Sequence, residues 1–333
     1  MSPRRWIIPL FVPHLGCPND CVFCNQRKIS GSLQPATGET VRHTLEEARE
    51  YTPDGAELAF YGGSFTAIPR EQQRELLEAA RPYLESGFIA EIRVSTRPDK
   101  IDSEALALLA EHGVKTVELG AQSMDERVLR LSGRGHSPED TRRAAALVRA
   151  GGLRLMLQMM TGLPGSSPES DIVTARELIK LRPDGVRIYP TVVLRDTALY
   201  ELWRAGKYRE HTVEDAVSVC AELVKEFSAA GIPIIRLGLN PTDELSAGEA
   251  VAGAYHPALG ELVYSRIYLQ KAEALIDKSG CRGSVTLGVH PSRVSLMTGQ
   301  KRQNIEKLKA GFGLSQVKVV KYPVKDGEIV LLP

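Results

Sequence analysis

The chain has 333 residues, of which 43% are hydrophobic and 25% charged, and its formal net charge is +1. That length is ample to bury a core. The near-zero charge excludes a molecule that binds nucleic acid through overall basicity, and the absence of any apolar run of about 18 residues excludes a bilayer-spanning helix. Charge is nonetheless uneven: residues 281–333 carry nine Lys/Arg against three Asp/Glu, a local net of +6, which leaves −5 on the first 280.

Arg4 and Arg5 precede the apolar run Trp6–Val12, superficially like a secretory leader, but Pro9 and Pro13 interrupt the run and no small-residue cleavage site follows. It reads as the first buried strand of a cytoplasmic protein. From there to about residue 195 a short β-branched or apolar run, a glycine-containing turn and a helical stretch recur. The expected strands are Ile7–Val12, Leu58–Tyr61, Ile89–Ser95, Thr116–Leu119, Leu153–Met160 and Val186–Val193. Helices with apolar spacing near 3.6 lie between them, as in Arg70–Tyr83, Ser103–Glu111 and Pro138–Ala150. Strand–helix units of this length form right-handed parallel crossovers. The fold class expected is α/β: a partial (β/α)6 barrel with one open side, its chemistry at the C-terminal strand ends, followed by a small C-terminal α+β domain. Helices are expected at Thr197–Ala205 and Val213–Ala230, a strand at Ile232–Leu239, a loop or lid at Asn240–Gly260 and a helix at Glu261–Lys278. The last unit reads as strand Ser284–Val289, helix Arg293–Lys309 and strands Val317–Tyr322 and Glu328–Leu332. The domain boundaries expected are a barrel at 1–235, a connection at 236–280 and a basic unit at 281–333.

Three of the five cysteines fall within eight residues, in Gly16–Gln26, as C-x3-C-x2-C at Cys17, Cys21 and Cys24; Cys220 and Cys281 stand alone. This is a metal pattern and not a disulfide framework. Thiolates suit an iron–sulfur cluster or zinc. Zinc would need a fourth ligand, for which His14 is the nearest candidate. Further polar turns close the later strands: Tyr61–Thr66 (YGGSFT), Ser95–Pro98 (STRP), Glu118–Ser123 (ELGAQS), Ser132–His136 (SGRGH) and Met159–Gly165 (MMTGLPG).

Together these motifs resemble the radical S-adenosylmethionine (SAM) superfamily, and most closely the branch containing Elongator's catalytic subunit, which modifies wobble uridines in tRNA. The likeness covers residues from about 10 to 210. It rests on GAQS (120–123), SGRGH (132–136), MMTGLPG (159–165) and RIYPTVVLRDTALYELWRAGKY (187–208). It implies a four-iron, four-sulfur (4Fe-4S) cluster on Cys17, Cys21 and Cys24 whose fourth iron is chelated by SAM. One electron, from a donor such as flavodoxin or ferredoxin, then cleaves SAM to methionine and a 5′-deoxyadenosyl radical. By the same resemblance Phe23 packs near the adenine, and Gly62 and Gly63 accept from the SAM ammonium, with Ser64 where the superfamily has Glu. Ser95 and Arg97 lie near the ribose and carboxylate, and Gln122 sits at the barrel mouth. Arg134 pairs with the carboxylate, His136 faces substrate, and the glycines of MMTGLPG approach the adenine. The cysteine spacing departs from Elongator's wider first interval. The chain also ends before any acetyltransferase domain, so a bacterial short form is expected. Relatives of that kind include some that resemble queuine lyase, which frees queuine from queuosine.

Val294–Ile305 resembles the helix–loop–helix of a KH domain, with Arg302 where the second glycine of GXXG would stand. Two function classes follow. One is a radical SAM enzyme acting on a nucleoside within tRNA, with queuine lyase-type salvage of a free modified nucleoside as its alternative. The other is a non-catalytic RNA-binding protein with a structural metal.

Overall fold

The computed structural model describes residues 5–12, 20–24, 35–239 and 248–333. Local sequence starts the helices. Thr37 caps α1 (Gly38–Arg49) in a reciprocal pair with Thr40, which leaves Val41, Leu45 and Ala48 on the buried face. Asp102 caps α3 (Ser103–Glu111), after α2 (Arg70–Glu85). Asp125 caps the short α4 (Glu126–Leu131), and Ser137 with Asp140 caps α5 (Pro138–Ala150). Ser167 caps α6 (Pro168–Lys180), Thr197 caps α7 (Ala198–Arg204), and Thr212 with Asp215 caps α8 (Val213–Ala229).

Between the helices run β1 (Ile7–Val12), β2 (Ala56–Gly62), β3 (Ile89–Thr96), β4 (Val114–Gln122), β5 (Arg154–Thr161), β6 (Gly185–Pro190) and β8 (Ile234–Leu237). They pair in that order in one seven-stranded, all-parallel sheet curled into a half-barrel. The strand expected to be continuous over Val186–Val193 divides. After Pro190, the Thr191 amide and hydroxyl both turn to the Thr161 carbonyl, at 2.9 and 2.7 Å. The next residues, β7 (Val192–Leu194), leave the sheet to pair antiparallel with β9 (Ala250–Gly253). The seventh strand spans position 235, where the barrel was expected to end. Of the loop expected at Asn240–Gly260, residues 240–247 lie outside the described residues; the rest contains β9 and the start of α9 (Leu259–Ser279).

That helix joins two cores. Leu259, Val263 and Ile267 pack with the barrel, whereas Tyr268, Leu269, Ala272 and Ile276 pack under the C-terminal sheet. The latter is β11 (Gln316–Lys321), β10 (Ser284–Val289) and β12 (Ile329–Leu332), with β10 central, parallel to β11 and antiparallel to β12. The helix expected over Arg293–Lys309 is broken into α10 (Val294–Thr298) and α11 (Gln303–Phe312). At the break Gly299, Lys301 and Arg302 all have positive φ. The buried Asn304 amide holds the turn, lying 3.2 Å from both the Leu296 and Met297 carbonyls and 2.9 Å from Ser265 Oγ. Among the described residues no helix is long and apolar enough to cross a membrane.

Candidate active site

The loop Asp20–Cys24 is fastened at the C-terminal end of the half-barrel. Val22 donates its amide to the Ser132 carbonyl at 3.0 Å and accepts from the Leu199 amide at 2.7 Å. A tight turn carries the chain on, with the Cys24 amide donating to Cys21 O at 3.0 Å. Phe23 packs against the small cluster of Val128, Met160 and Leu163. These anchors bring Cys21, Phe23 and Cys24 to one wall of a cavity of about 140 Å3. Cys17 and His14 lie outside the described residues.

The opposite wall comes from the ends of β2, β3 and β4. Gly62, Gly63, Ser64, Ser95, Arg97, Gln122 and Arg134, each singled out from sequence, line the same cavity. Ser64 does so with its hydroxyl committed: Oγ lies 2.8 Å from Thr96 Oγ1 and accepts from the Arg97 amide at 3.1 Å. It therefore joins the β2 turn to the end of β3. Arg97 is 2% exposed. Its Nε donates to Asp99 Oδ1 at 2.9 Å, and neither Nη1 nor Nη2 has a hydrogen-bond partner among the described residues. Ser95 Oγ is likewise unpaired there. A buried guanidinium with both terminal nitrogens unsatisfied is costly unless it meets an anion.

Arg134 is arranged differently. Nη2 donates to Gly120 O at 2.7 Å and Nη1 lies 3.5 Å from Cys21 Sγ. Gly120 makes this possible, because a Cβ there would stand 2.7 Å from Nη2 and 2.9 Å from Gln122 Nε2. Gln122 has φ +64 at a register shift in the β4–β5 pairing, where Gly120 faces Gln158 and Gln122 faces Met159. A non-glycine residue held there costs on the order of 1 kcal/mol, which commonly marks a functional position. His136 stands behind the wall, not in the cavity: it is 6% exposed, with Nε2 3.1 Å from Ala121 O. Burial, reinforced by the charges of Arg134 and Arg97, pushes its imidazole down to about 4, so it is neutral at physiological pH.

Sequence reasoning did not single out Thr96, Glu118, Gly120 and Gln158 individually, although all four line the cavity. Gln158 had a signal, a lone amide inside the apolar run of β5. Glu118 belongs to a charged layer beneath the cavity. It accepts from Arg187 Nε at 3.0 Å, and Arg187 also reaches Tyr61 and Tyr189 hydroxyls at 3.0 and 3.4 Å. Arg93, paired with Glu57 at 2.9 Å, lies 3.6 Å from the same Glu118 carboxylate.

The Gly162–Gly165 turn lines a separate cavity of about 660 Å3. Gly162 is held from both ends, its amide by Asp171 Oδ2 at 3.1 Å and its carbonyl by the Tyr208 hydroxyl at 2.7 Å. Burial pushes the Asp171 carboxyl up to about 7. A third concavity, of about 570 Å3, lies in the C-terminal unit between α11 and the edge strand β11, and Arg302, Lys309 and Lys318 line it with Glu306.

The chemistry of the first cavity agrees with what the chain is similar to. Residues 11–179 match the model of the radical SAM superfamily, and residues 183–269 that of the radical SAM C-terminal domain. The tRNA uridine(34) acetyltransferase of Methanocaldococcus infernus is 32% identical over 300 residues, covering 79% of this chain and 55% of that protein. Elongator complex protein 3 of Mus musculus is 31% identical, covering 68% of this chain and 44% of that one. The chain thus spans about half the length of these relatives. The solved structure of M. infernus Elp3 without its residues 1–46 superposes with a TM-score of 0.62 at 26% identity, covering 83% of this chain and 63% of that one. With two of the three clustered thiols and an anion-seeking arginine on one cavity, and with half of the sequence matched, the chain belongs to the radical SAM superfamily of 4Fe-4S, SAM-dependent enzymes, in its Elongator-like branch.

Proposed function

We propose that this enzyme modifies a nucleoside within tRNA, and that the cavity between the Cys21–Cys24 loop and the ends of β2–β4 is where SAM binds. The observation that carries the reading is the buried Arg97 guanidinium, whose two terminal nitrogens have no partner among the described residues and which lines the same cavity as Cys21 and Cys24. Cys17, Cys21 and Cys24 would hold the cluster. When bound, the cluster and SAM together supply a strongly oxidising carbon radical at neutral pH. The chain's own residues do the positioning. The Arg97 fork takes the SAM carboxylate in two parallel charge-assisted bonds. The Gly62 and Gly63 carbonyls accept from its ammonium, and Phe23 offers a ring face to the adenine. Ser95 supplies a hydroxyl for the ribose, while Gln122 and Gln158, joined at 3.3 Å, close the floor. Ser64 acts indirectly, by keeping Arg97 in place through its amide.

A tRNA substrate is supported by the names of the relatives and by the basic concavity of residues 281–333. A small one-electron carrier of the flavodoxin or ferredoxin type is the partner this chemistry requires. The test is anaerobic incubation of reconstituted enzyme with SAM, dithionite, bulk tRNA and free modified nucleosides, followed by mass spectrometry of both pools. A mass change in a tRNA nucleoside, with methionine and 5′-deoxyadenosine formed, supports the reading. Conversion of a free nucleoside alone replaces it with salvage of the queuine lyase type. A colourless protein that binds zinc and cleaves no SAM replaces it with a structural-metal RNA binder.

A further inference from the structure

Arg134 has the features of an Arg97-like SAM ligand in sequence, yet both of its terminal nitrogens are engaged elsewhere. One terminal nitrogen is bound to Gly120 O at 2.7 Å and the other is directed at Cys21 Sγ, 3.5 Å away. The contact is built from both sides. The Arg134 amide donates to Leu129 O at 3.0 Å, closing the turn after α4. Gly133, at φ +65, comes so near the loop that a Cβ would lie 3.0 Å from Asp20 O. Ser132 O meanwhile receives the Val22 amide. Three consecutive residues of one turn therefore engage three consecutive residues of the cysteine loop. Arg134 is only 8% exposed, so water does little to screen its charge.

We propose that Arg134 is a positioning residue for the cluster: it donates a charge-assisted hydrogen bond to the Cys21 thiolate and thereby raises the cluster's reduction potential. This rests on the cluster reading given above. Reduction adds one negative charge to the cluster, and a fixed cation and an N–H···S bond at a ligand sulfur stabilise that state over the oxidised one. The electron comes from the external donor, and no bond to Arg134 forms or breaks. Arginine suits the task better than lysine, because one planar fork reaches Gly120 O and Cys21 Sγ together.

The test compares wild type, Arg134→Gln, Arg134→Lys and Gly120→Ala after anaerobic reconstitution without SAM. Iron and sulfide are counted, and the reduced cluster is then followed by electron paramagnetic resonance through a mediated redox titration. At the wild-type midpoint, fully loaded Arg134→Gln should hold about tenfold less reduced than oxidised cluster, a shift of about 59 mV for one electron. Arg134→Lys should fall between. Gly120→Ala keeps the arginine but places a methyl against Nη2, so its midpoint should fall in the same direction; it carries the test if Arg134→Gln loads iron poorly. An unchanged midpoint in either iron-loaded variant overturns the proposal. If SAM affinity collapses in Arg134→Gln while the midpoint stays put, Arg134 belongs to the SAM carboxylate instead. Failure of the wild type itself to assemble a cluster would defeat the cluster reading and this proposal with it, whereas a loaded wild type and loaded variants with one midpoint would defeat this proposal alone.

Discussion

The Val22 amide and the Ser132 carbonyl are 3.0 Å apart, although β2, β3 and β4 lie between them in the chain. This bond makes the cysteine loop part of the barrel rim instead of an appendage to β1. Leu199, at the start of α7, completes the hold by donating to Val22 O. The loop is therefore fixed by segments that belong to the half-barrel and to the helix after it, which bears on how its cysteines respond to substitution.

Replacing any one of Cys17, Cys21 or Cys24 with Ala should remove the cluster and abolish SAM cleavage while the fold survives, because Val22 stays anchored through main-chain bonds. Iron and sulfide per chain, the absorption near 400 nm and circular dichroism read the two effects separately. Cys220 is buried in α8 and Cys281 lies in the C-terminal unit, both away from the cavity. Their Ala variants should keep full iron. Iron lost from Cys220→Ala as readily as from Cys21→Ala would mean that the ligand set is wrong.

Arg97→Gln should weaken SAM binding by about ten- to a hundredfold, the effect of losing about 1.5–3 kcal/mol of charge-assisted bonding. Arg130→Ala, an exposed position on α4, provides the control. Calorimetry on the reconstituted protein measures both. Equal affinities in the two variants would take Arg97 out of the SAM site and leave its buried nitrogens, unpaired among the described residues, without an account.

Much of this architecture was legible in the chain. The strand Ile7–Val12 has the bounds read from sequence, and Ile89–Ser95 falls one residue short of β3, because β-branched runs between glycine turns have few other ways to pack. The division after Pro190 was not legible: its cause is the capture of Thr191 by the Thr161 carbonyl, a contact between distant residues. The site shows the same limit. The resemblance brought Arg97 and Arg134 forward together, and only packing distinguishes them: Asp99 takes just Nε of the first, whose terminal nitrogens have no partner among the described residues, while Gly120 and Cys21 take both terminal nitrogens of the second. The resemblance set His136 facing substrate, yet it lies outside the cavity with Nε2 3.1 Å from Ala121 O, whereas Gln122, at the β4 register shift, lines it.

Asp171 should make stability fall as pH rises. Its folded-state value, about 7, lies above the usual carboxylate value of 3.8. The folded state therefore binds a proton that the unfolded state has released, and the stabilisation present below pH 3.8 drains away until the pH passes 7. The slope is about 1.4 kcal/mol per pH unit within that window. Asp171→Asn can still accept from the Gly162 amide but has nothing to titrate. Urea unfolding at pH 5 and pH 8 should thus show the variant gaining about 2–3 kcal/mol on wild type as the pH rises. Parallel behaviour of the two proteins would place the Asp171 carboxyl in a wetter setting than its 3% exposure indicates.

The concavity between α11 and β11 makes the tRNA reading testable without any radical chemistry. It opens beside an edge strand, and the turn at its end holds Lys301 and Arg302 at φ +49 and +63. Left-handed lysine and arginine side by side cost about 1–2 kcal/mol each relative to ordinary backbone, and both side chains are exposed at the start of a helix that no side chain caps. If they meet phosphates, each contact releases condensed counterions and contributes roughly −0.7 to the slope of log K against log salt for single strands. Changing both to Gln should therefore flatten the slope by about 1.4 and weaken tRNA binding most at low salt. Anisotropy of labelled tRNA at several salt concentrations measures the slope. The cavity that holds Cys21 and Arg97 is built from residues 21–158, so iron content and uncoupled SAM cleavage should not change. A free nucleoside has no phosphate, and its turnover, where there is any, should be indifferent to both the salt and the substitution. An unaltered slope in the double variant would remove this face from tRNA binding, and the working substrate would become a free nucleoside that reaches the half-barrel without passing the C-terminal unit.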